Sequence, residues 1–292
     1  MAANFEPIIG RYLRLDLEGQ PHRVYVEEAG QGVPLLCLHT AGADSRQWRG
    51  VMNDPEILKD FRVIAFDLPW HGRSSPPAGW HELEEYRLTR RAYVDAIVAV
   101  ADALELEAPV AMGCSIGGRI VLHLALERPD RFAAVIGLQA GAHVEPYYDT
   151  QWLHRPDVHG GEVCAGVVSG LVGPQASDAD RWETLWHYMQ GGPGVFKGDL
   201  YFYKLDGDIR GDLDRIDTAR CPVHLLSGEY DYSCTPEDTL AAAARIKGAT
   251  VKIMPGIGHF PMSEAPAVFL EHLRPVLARV LRERPPPGPP RG

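Results

Sequence analysis

Basic residues are in short supply in this 292-residue chain: 29 Lys and Arg stand against 39 Asp and Glu, for a formal charge of -10. That balance, with no basic stripe interleaved with aromatics, argues against a nucleic-acid partner. Long apolar runs are missing as well, and none approaches the roughly eighteen residues of a membrane-spanning helix. The opening Met-Ala-Ala-Asn-Phe-Glu-Pro has no basic segment followed by an apolar one, so no secretory leader is indicated. A soluble, cytoplasmic protein without membrane contact is the expectation. Cysteine is sparse: Cys37, Cys114, Cys164, Cys221 and Cys234 are scattered, odd in number and never spaced Cys-x-x-Cys. Neither a zinc site nor a redox pair is indicated, and reduced thiols are expected.

What is present fits a globular α/β protein. Hydrophobic residues make up 45% and charged ones 23%, and the length suits one large domain or a core with an inserted subdomain. Tyr12 to Leu17 and Arg23 to Glu28 alternate apolar with polar residues, as an opening antiparallel hairpin would. The rhythm then changes to continuous apolar runs: 33–38, 61–68, 109–112, 132–138, 223–227 and 250–254. Runs apolar on both faces predict parallel strands covered by helices, and helical periodicity falls between them at 87–104, 116–126, 236–246 and 267–281. The alternation predicts a doubly wound, mostly parallel sheet.

One interval interrupts it. About eighty residues between Leu138 and Cys221 lack a clear apolar strand, and a structureless loop of that length is improbable in a compact domain. An inserted subdomain is expected over 143–213, with the core formed by 1–142 and 214–282. The insertion holds Tyr147, Tyr148, Trp152, Trp182, Trp186, Tyr188, Phe196, Tyr201, Phe202 and Tyr203. A small subdomain cannot bury that many aromatics internally, so some should face the core and line a pocket or an interface. Tyr147, Trp152 and Trp186, with Thr40 and Phe260 of the core, are the candidates for the pocket. The proline-rich end, 283–292, is expected to be disordered.

Chemistry concentrates at Ser115, within Gly113-Cys114-Ser115-Ile116-Gly117 between a strand-like and a helix-like run. A serine at such a junction sits on a sharp turn that only small flanking residues permit, and the following helix aims its first free amides at whatever the hydroxyl attacks. Serine needs a base. Of the 12 histidines, His259 has the best context, in the turn after run 250–254, with Gly256 and Gly258 freeing the backbone. A third group must orient the imidazole. Asp231, just after run 223–227, fits; Glu229 is the rival, while Asp238 already lies in the next helix. Two amides should hold the oxyanion of an acyl-transfer intermediate. One is that of Ile116, and the other comes from the loop after run 33–38, at Ala41 with Thr40 as runner-up. His143, His154 and His159 have no ligand spacing, so neither a metal nor an organic cofactor is expected.

On these segments the chain resembles the α/β-hydrolase superfamily over nearly its whole length. Residues 113–118 look like the nucleophile elbow, and the order Ser115, Asp231, His259 matches the family's. Asp67-Leu-Pro-Trp-His-Gly-Arg-Ser looks like its Asp-x-x-Gly-x-Gly-x-Ser loop with Trp70 at the first glycine, and Gly258-His259-Phe-Pro-Met-Ser-Glu-Ala-Pro looks like its histidine motif. The resemblance implies a mainly helical cap at the insertion. Two departures stand out: His39-Thr40 replaces the usual His-Gly, and Cys114 replaces a histidine or aromatic residue, where a small packing residue is expected. Ser115 stands where similar epoxide hydrolases and haloalkane dehalogenases carry aspartate, which disfavours those activities. Carboxylesterase, lactonase, thioesterase, diketone carbon-carbon hydrolase, acyltransferase and hydroxynitrile lyase remain. Hydrolysis of an ester or lactone of a bulky apolar or aromatic small molecule ranks first. A non-catalytic ligand receptor on the same fold is the alternative of another class. The expected partner is a small-molecule substrate, with a homodimer left open.

Overall fold

The unbroken apolar runs become the centre of one eight-stranded sheet in the computed structural model, which describes residues 3–82, 85–144 and 150–283. The strands are β1 (Ile9–Leu17), β2 (Gln20–Gly30), β3 (Val33–Leu38), β4 (Phe61–Phe66), β5 (Val110–Cys114), β6 (Ala134–Leu138), β7 (Val223–Gly228) and β8 (Thr250–Met254). Their order across the sheet is β1-β2-β4-β3-β5-β6-β7-β8. The alternating segments pair as an antiparallel hairpin, and β2 also runs antiparallel to β4; every other pairing is parallel. The expected mostly parallel, doubly wound sheet is what the chain forms.

Helices cover both faces. The helices among the described residues are α1 (Arg49–Met52), α2 (Arg90–Ala103), α3 (Ile116–Glu127), α4 (Gly160–Ser169), α5 (Asp178–Met189), α6 (Val195–Tyr201), α7 (Pro236–Arg245), α8 (Pro261–Glu264) and α9 (Pro266–Glu283). Successive side chains of a strand point to opposite faces. Leu36 and Leu38 of β3 accordingly join the cluster under α2, α3 and α7, while Leu35 and Cys37 join the one under α1, α8 and α9. Both faces of β3 and β5 are thus sealed, which explains why those strands carry no alternation.

The interval 139–222 contains no strand among its described residues and instead holds α4, α5 and α6. Ser177 caps α5 through the amide of Asp180, and the helix is two-faced. Leu185 and Tyr188 are buried, whereas Trp182 and Trp186 lie on the outer side. No helix among the described residues is long and apolar enough to cross a membrane. All five cysteines are free thiols and buried.

Candidate active site

Four loops meet at the carboxyl edge of the sheet, where open α/β sheets place their ligand sites. Ser115 follows β5, residues 39–43 follow β3, Asp231 follows β7 and His259 follows β8.

Ser115 has φ 60° and ψ -113°, a left-handed conformation that L-residues adopt only under constraint. The constraint is steric. A Cβ on Gly113 would lie 2.4 Å from the carbonyl carbon and oxygen of Gly117, so strand and helix can approach this closely only without side chains there. The serine amide donates to the Leu138 carbonyl on neighbouring β6 (3.0 Å), and its carbonyl accepts from the Arg119 amide (2.8 Å). Its hydroxyl has no protein hydrogen-bond partner among the described residues.

The loops after β7 and β8 are zipped together. Glu229 N–H donates to the Met254 carbonyl (3.0 Å) and Tyr230 N–H to that of Ile257 (2.9 Å). This brings His259 Nδ1 to 2.8 Å from both carboxylate oxygens of Asp231. A carboxylate opposite Nδ1 holds the proton there and leaves Nε2 as the basic lone pair. Asp231 is buried and also accepts the amides of Ser233 (2.8 Å) and Cys234 (3.1 Å), so its position is fixed. The rival carboxylates are occupied elsewhere. Glu229 accepts the Gly256 amide at 2.9 Å, and Asp238 closes a capping box with Thr235.

His259 and Ser115 are joined through Cys114, whose Sγ donates to the His259 carbonyl at 3.2 Å. Burial pushes this thiol well above its ordinary pKa, so it stays protonated and donates. Three further residues that sequence reasoning missed complete the frame. Gln139, left-handed at φ 53° just after β6, donates to the Gly258 carbonyl (2.6 Å) and accepts from Gly228 N–H (2.9 Å). Glu264 accepts the amides of Gly258, Gly173 and Phe260, and burial raises its pKa against the pull of those amides. Leu171, from the inserted segment, accepts the His259 amide at 2.9 Å. Gln139's position at the end of a strand on the same edge was a usable signal. Glu264 lies within the histidine motif, which was its usable signal, and nothing in the sequence distinguishes Leu171.

In the loop after β3 the amides can be sorted by elimination. Thr40 N–H donates to Gln47 Oε1 (3.1 Å), Gly42 N–H to Asp199 Oδ2 (2.7 Å) and Ala43 N–H to the Thr40 carbonyl (3.3 Å). The Ala41 amide has no protein partner among the described residues, and neither does that of Ile116 at the start of α3. Thr40, the runner-up, has its amide committed.

Among the expected pocket residues, Phe260 is buried against His259 (ring centroids 4.9 Å apart) and Tyr188 (5.4 Å). Thr40 is buried, with its hydroxyl bonded to that of Tyr188. Trp152 and Trp186 differ from expectation: they are 49% and 59% exposed. The Trp152 indole lies under the Arg155 guanidinium, 4.6 Å from the ring centroid, and Trp186 takes the outer face of α5. The inward aromatic positions go to Tyr188 and Phe196, whose rings are 5.9 Å apart. Tyr147 lies outside the described residues, as do 284–292 of the tail. No group of three or more His, Cys, Asp or Glu among the described residues could hold a metal ion.

Residues 33–158 match the family described as the alpha/beta hydrolase fold. Over 140 residues the chain is 37% identical to a 2-hydroxymuconate semialdehyde hydrolase of Pseudomonas sp. (strain CF600), a stretch covering 46% of this chain and 47%, about half, of that protein. A thermophilic esterase from Thermogutta terrifontis superposes with a TM-score of 0.80 at 20% identity, over 92% of this chain and 99% of that one. An N-acyl homoserine lactone degrading enzyme superposes with a TM-score of 0.73 at 26% identity, over 90% of this chain and 99% of the other. The fold is that of an α/β hydrolase. Over residues 33–158 the chain is similar to the α/β-hydrolase family.

Proposed function

We propose that the protein is a serine hydrolase that cleaves a carboxylic ester or lactone of a bulky apolar or aromatic small molecule through an acyl-enzyme. The observation that carries this is the conjunction at one sheet edge of a strained serine, a histidine locked by a carboxylate at 2.8 Å, and two uncommitted amides. Nε2 of His259 takes the Ser115 proton as Oγ attacks the carbonyl carbon, and the Ala41 and Ile116 amides hold the resulting oxyanion. His259 gives the proton to the departing alkoxide. A water deprotonated by His259 then attacks the acyl-enzyme, and collapse returns Ser115 and the free acid. Asp231 stays ionised and stabilises the imidazolium in each half. No step calls for a metal or organic cofactor.

Residues 143–213 act in this reading as a cap over a core of 1–142 and 214–282. The buried run Phe260, Tyr188 and Phe196 supplies an apolar wall from His259 to the oxyanion loop, which favours a bulky acyl or aryl group. Five unpaired thiols fit a reducing compartment such as the cytoplasm.

A fluorophosphonate probe should label the wild-type protein rapidly and leave Ser115→Ala unlabelled. Turnover of aryl esters should rise with acyl length beyond acetate; a steady fall from acetate onward contradicts the apolar wall. Folded protein that takes no label favours the receptor alternative. A second reading, hydrolysis of a carbon-carbon bond in a diketone by the same residues, is favoured by the 37% identity to the 2-hydroxymuconate semialdehyde hydrolase. Diketones belong in the same substrate panel, and turnover of them alone selects that reading.

A further inference from the structure

The inserted segment grips the oxyanion loop on both sides of Ala41. Before it, the Thr40 hydroxyl bonds to Tyr188 of α5. After it, the Gly42 amide donates to Asp199 of α6 at 2.7 Å. Asp199 is fully buried, and the same oxygen accepts from His71 Nε2 at 2.7 Å while the other accepts from the Tyr86 hydroxyl at 3.0 Å. His71 Nδ1 faces the Pro69 carbonyl at 3.0 Å. Both imidazole nitrogens therefore oppose acceptors, and the buried His71–Asp199 pair joins α6 to the loop after β4. This second histidine-carboxylate pair has no free nitrogen with which to act as a base.

The geometry fixes two consecutive peptide planes. The Thr40 carbonyl, in the same peptide as the Ala41 amide, accepts from His39 Nδ1–H at 2.8 Å and from Ala43 N–H at 3.3 Å. A planar trans peptide then sets the direction of the Ala41 N–H. The next peptide, between Ala41 and Gly42, is a turn peptide with Gly42 at φ 66°, a place where turns interconvert by rotating the central peptide. Its N–H is the group that Asp199 holds.

We propose that Asp199 is a positioning residue for the oxyanion hole. By fixing the Ala41–Gly42 peptide it keeps the turn in the form whose Ala43 N–H reaches the Thr40 carbonyl, the carbonyl of the peptide that carries the Ala41 amide, so the inserted segment completes the reaction site and does more than cover it. The proposal rests on the hydrolase reading above.

The test is steady-state kinetics on Asp199→Asn and Asp199→Ala with an aryl ester, alongside binding of phenylboronic acid, a mimic of the tetrahedral state. Misplacing one oxyanion donor costs on the order of 100-fold in rate. Asp199→Ala should lower kcat by about that factor with KM changed less than about threefold, and should weaken phenylboronic acid binding in parallel. Asp199→Asn keeps one oxygen for two donors and should lose about 10-fold; it carries the test if the alanine variant does not fold. Tyr86→Phe, which touches only the other carboxylate oxygen, should lower Tm while kcat stays near wild type. A kcat for Asp199→Asn within about twofold of wild type, or a change in KM alone, overturns the proposal. Wild-type protein that neither turns over esters nor takes a fluorophosphonate removes the hydrolase reading and the proposal with it. A labelled, active wild type beside an unaffected Asp199→Asn removes the proposal alone.

Discussion

Asp231 receives three N–H groups, from His259, Ser233 and Cys234, and its charge is therefore matched to donors that do not move. Asparagine in its place would present an amide N–H or a neutral oxygen to Nδ1, and the imidazole would lose both its preferred tautomer and its compensating charge. Asp231→Asn should lower kcat by about 10⁴-fold, the loss found when the equivalent interaction is removed from a serine protease triad. Circular dichroism should be unchanged, and a loss under tenfold would place the orienting acid elsewhere. At this scale, residues whose position follows from chain order after a strand were legible: Ser115, Asp231 and His259 each follow a strand and a short turn. Residues whose position follows from packing were not. Composition counts rings without assigning faces, which is why the expected pocket aromatics include Trp152 and Trp186, and Asp199 is one acid among many until α6 folds against Gly42.

The helix after the Asp231 loop begins at a capping box: Thr235 Oγ1 accepts the Asp238 amide (3.2 Å) while Asp238 Oδ2 accepts the Thr235 amide (3.0 Å). Pro236 follows at the first helical position, where its missing N–H costs nothing. Thr235→Ala should destabilise α7 by about 1 kcal/mol, read as a lower denaturant midpoint at constant slope. Because Asp231 is held by the amides of Ser233 and Cys234, upstream of the cap, KM and kcat should change little. A large kcat effect would mean that the helix start itself sets the carboxylate. Elements were the most legible level of the sequence. The runs at 33–38 and 250–254 coincide with β3, whose last four residues are buried, and with β8, the partly exposed strand at the sheet edge. The run at 61–68 overshoots β4, which stops at Phe66, since Asp67 turns away to accept the amides of Ser45 and Arg73 at 2.8 Å each. Inside the insertion, α4 to α6 pack on the core with short amphipathic faces, too short for periodicity alone to separate from loop.

At the scale of the whole molecule, Asp199 of α6 is tied to His71 in the loop after β4 by a pair whose strength depends on pH. Burial works against the His71 imidazolium, but the Asp199 carboxylate, the hydrogen bond to it and the Pro69 carbonyl outweigh burial and raise the pKa above the ordinary 6.5. A group whose pKa is raised on folding binds its proton more tightly in the native state, so its contribution to stability is full below the unfolded value and is lost as pH rises through the folded one. His39, 4.7 Å away between ring centroids, is pushed the other way by burial and by the His71 charge, and so titrates in more acidic solution. The window that reports His71 alone therefore opens near pH 6 and extends upward. His71→Gln removes the titrating group while keeping a polar side chain, and pH-dependent terms from groups that do not interact with His71 cancel in the difference, whereas His39 contributes at the acidic end. The gap in Tm between wild type and His71→Gln should be widest near pH 6 and shrink steadily toward pH 9. A gap that does not change over that range would mean that the histidine is neutral when folded, with Asp199 held by the Gly42 amide and the Tyr86 hydroxyl without an ionic partner.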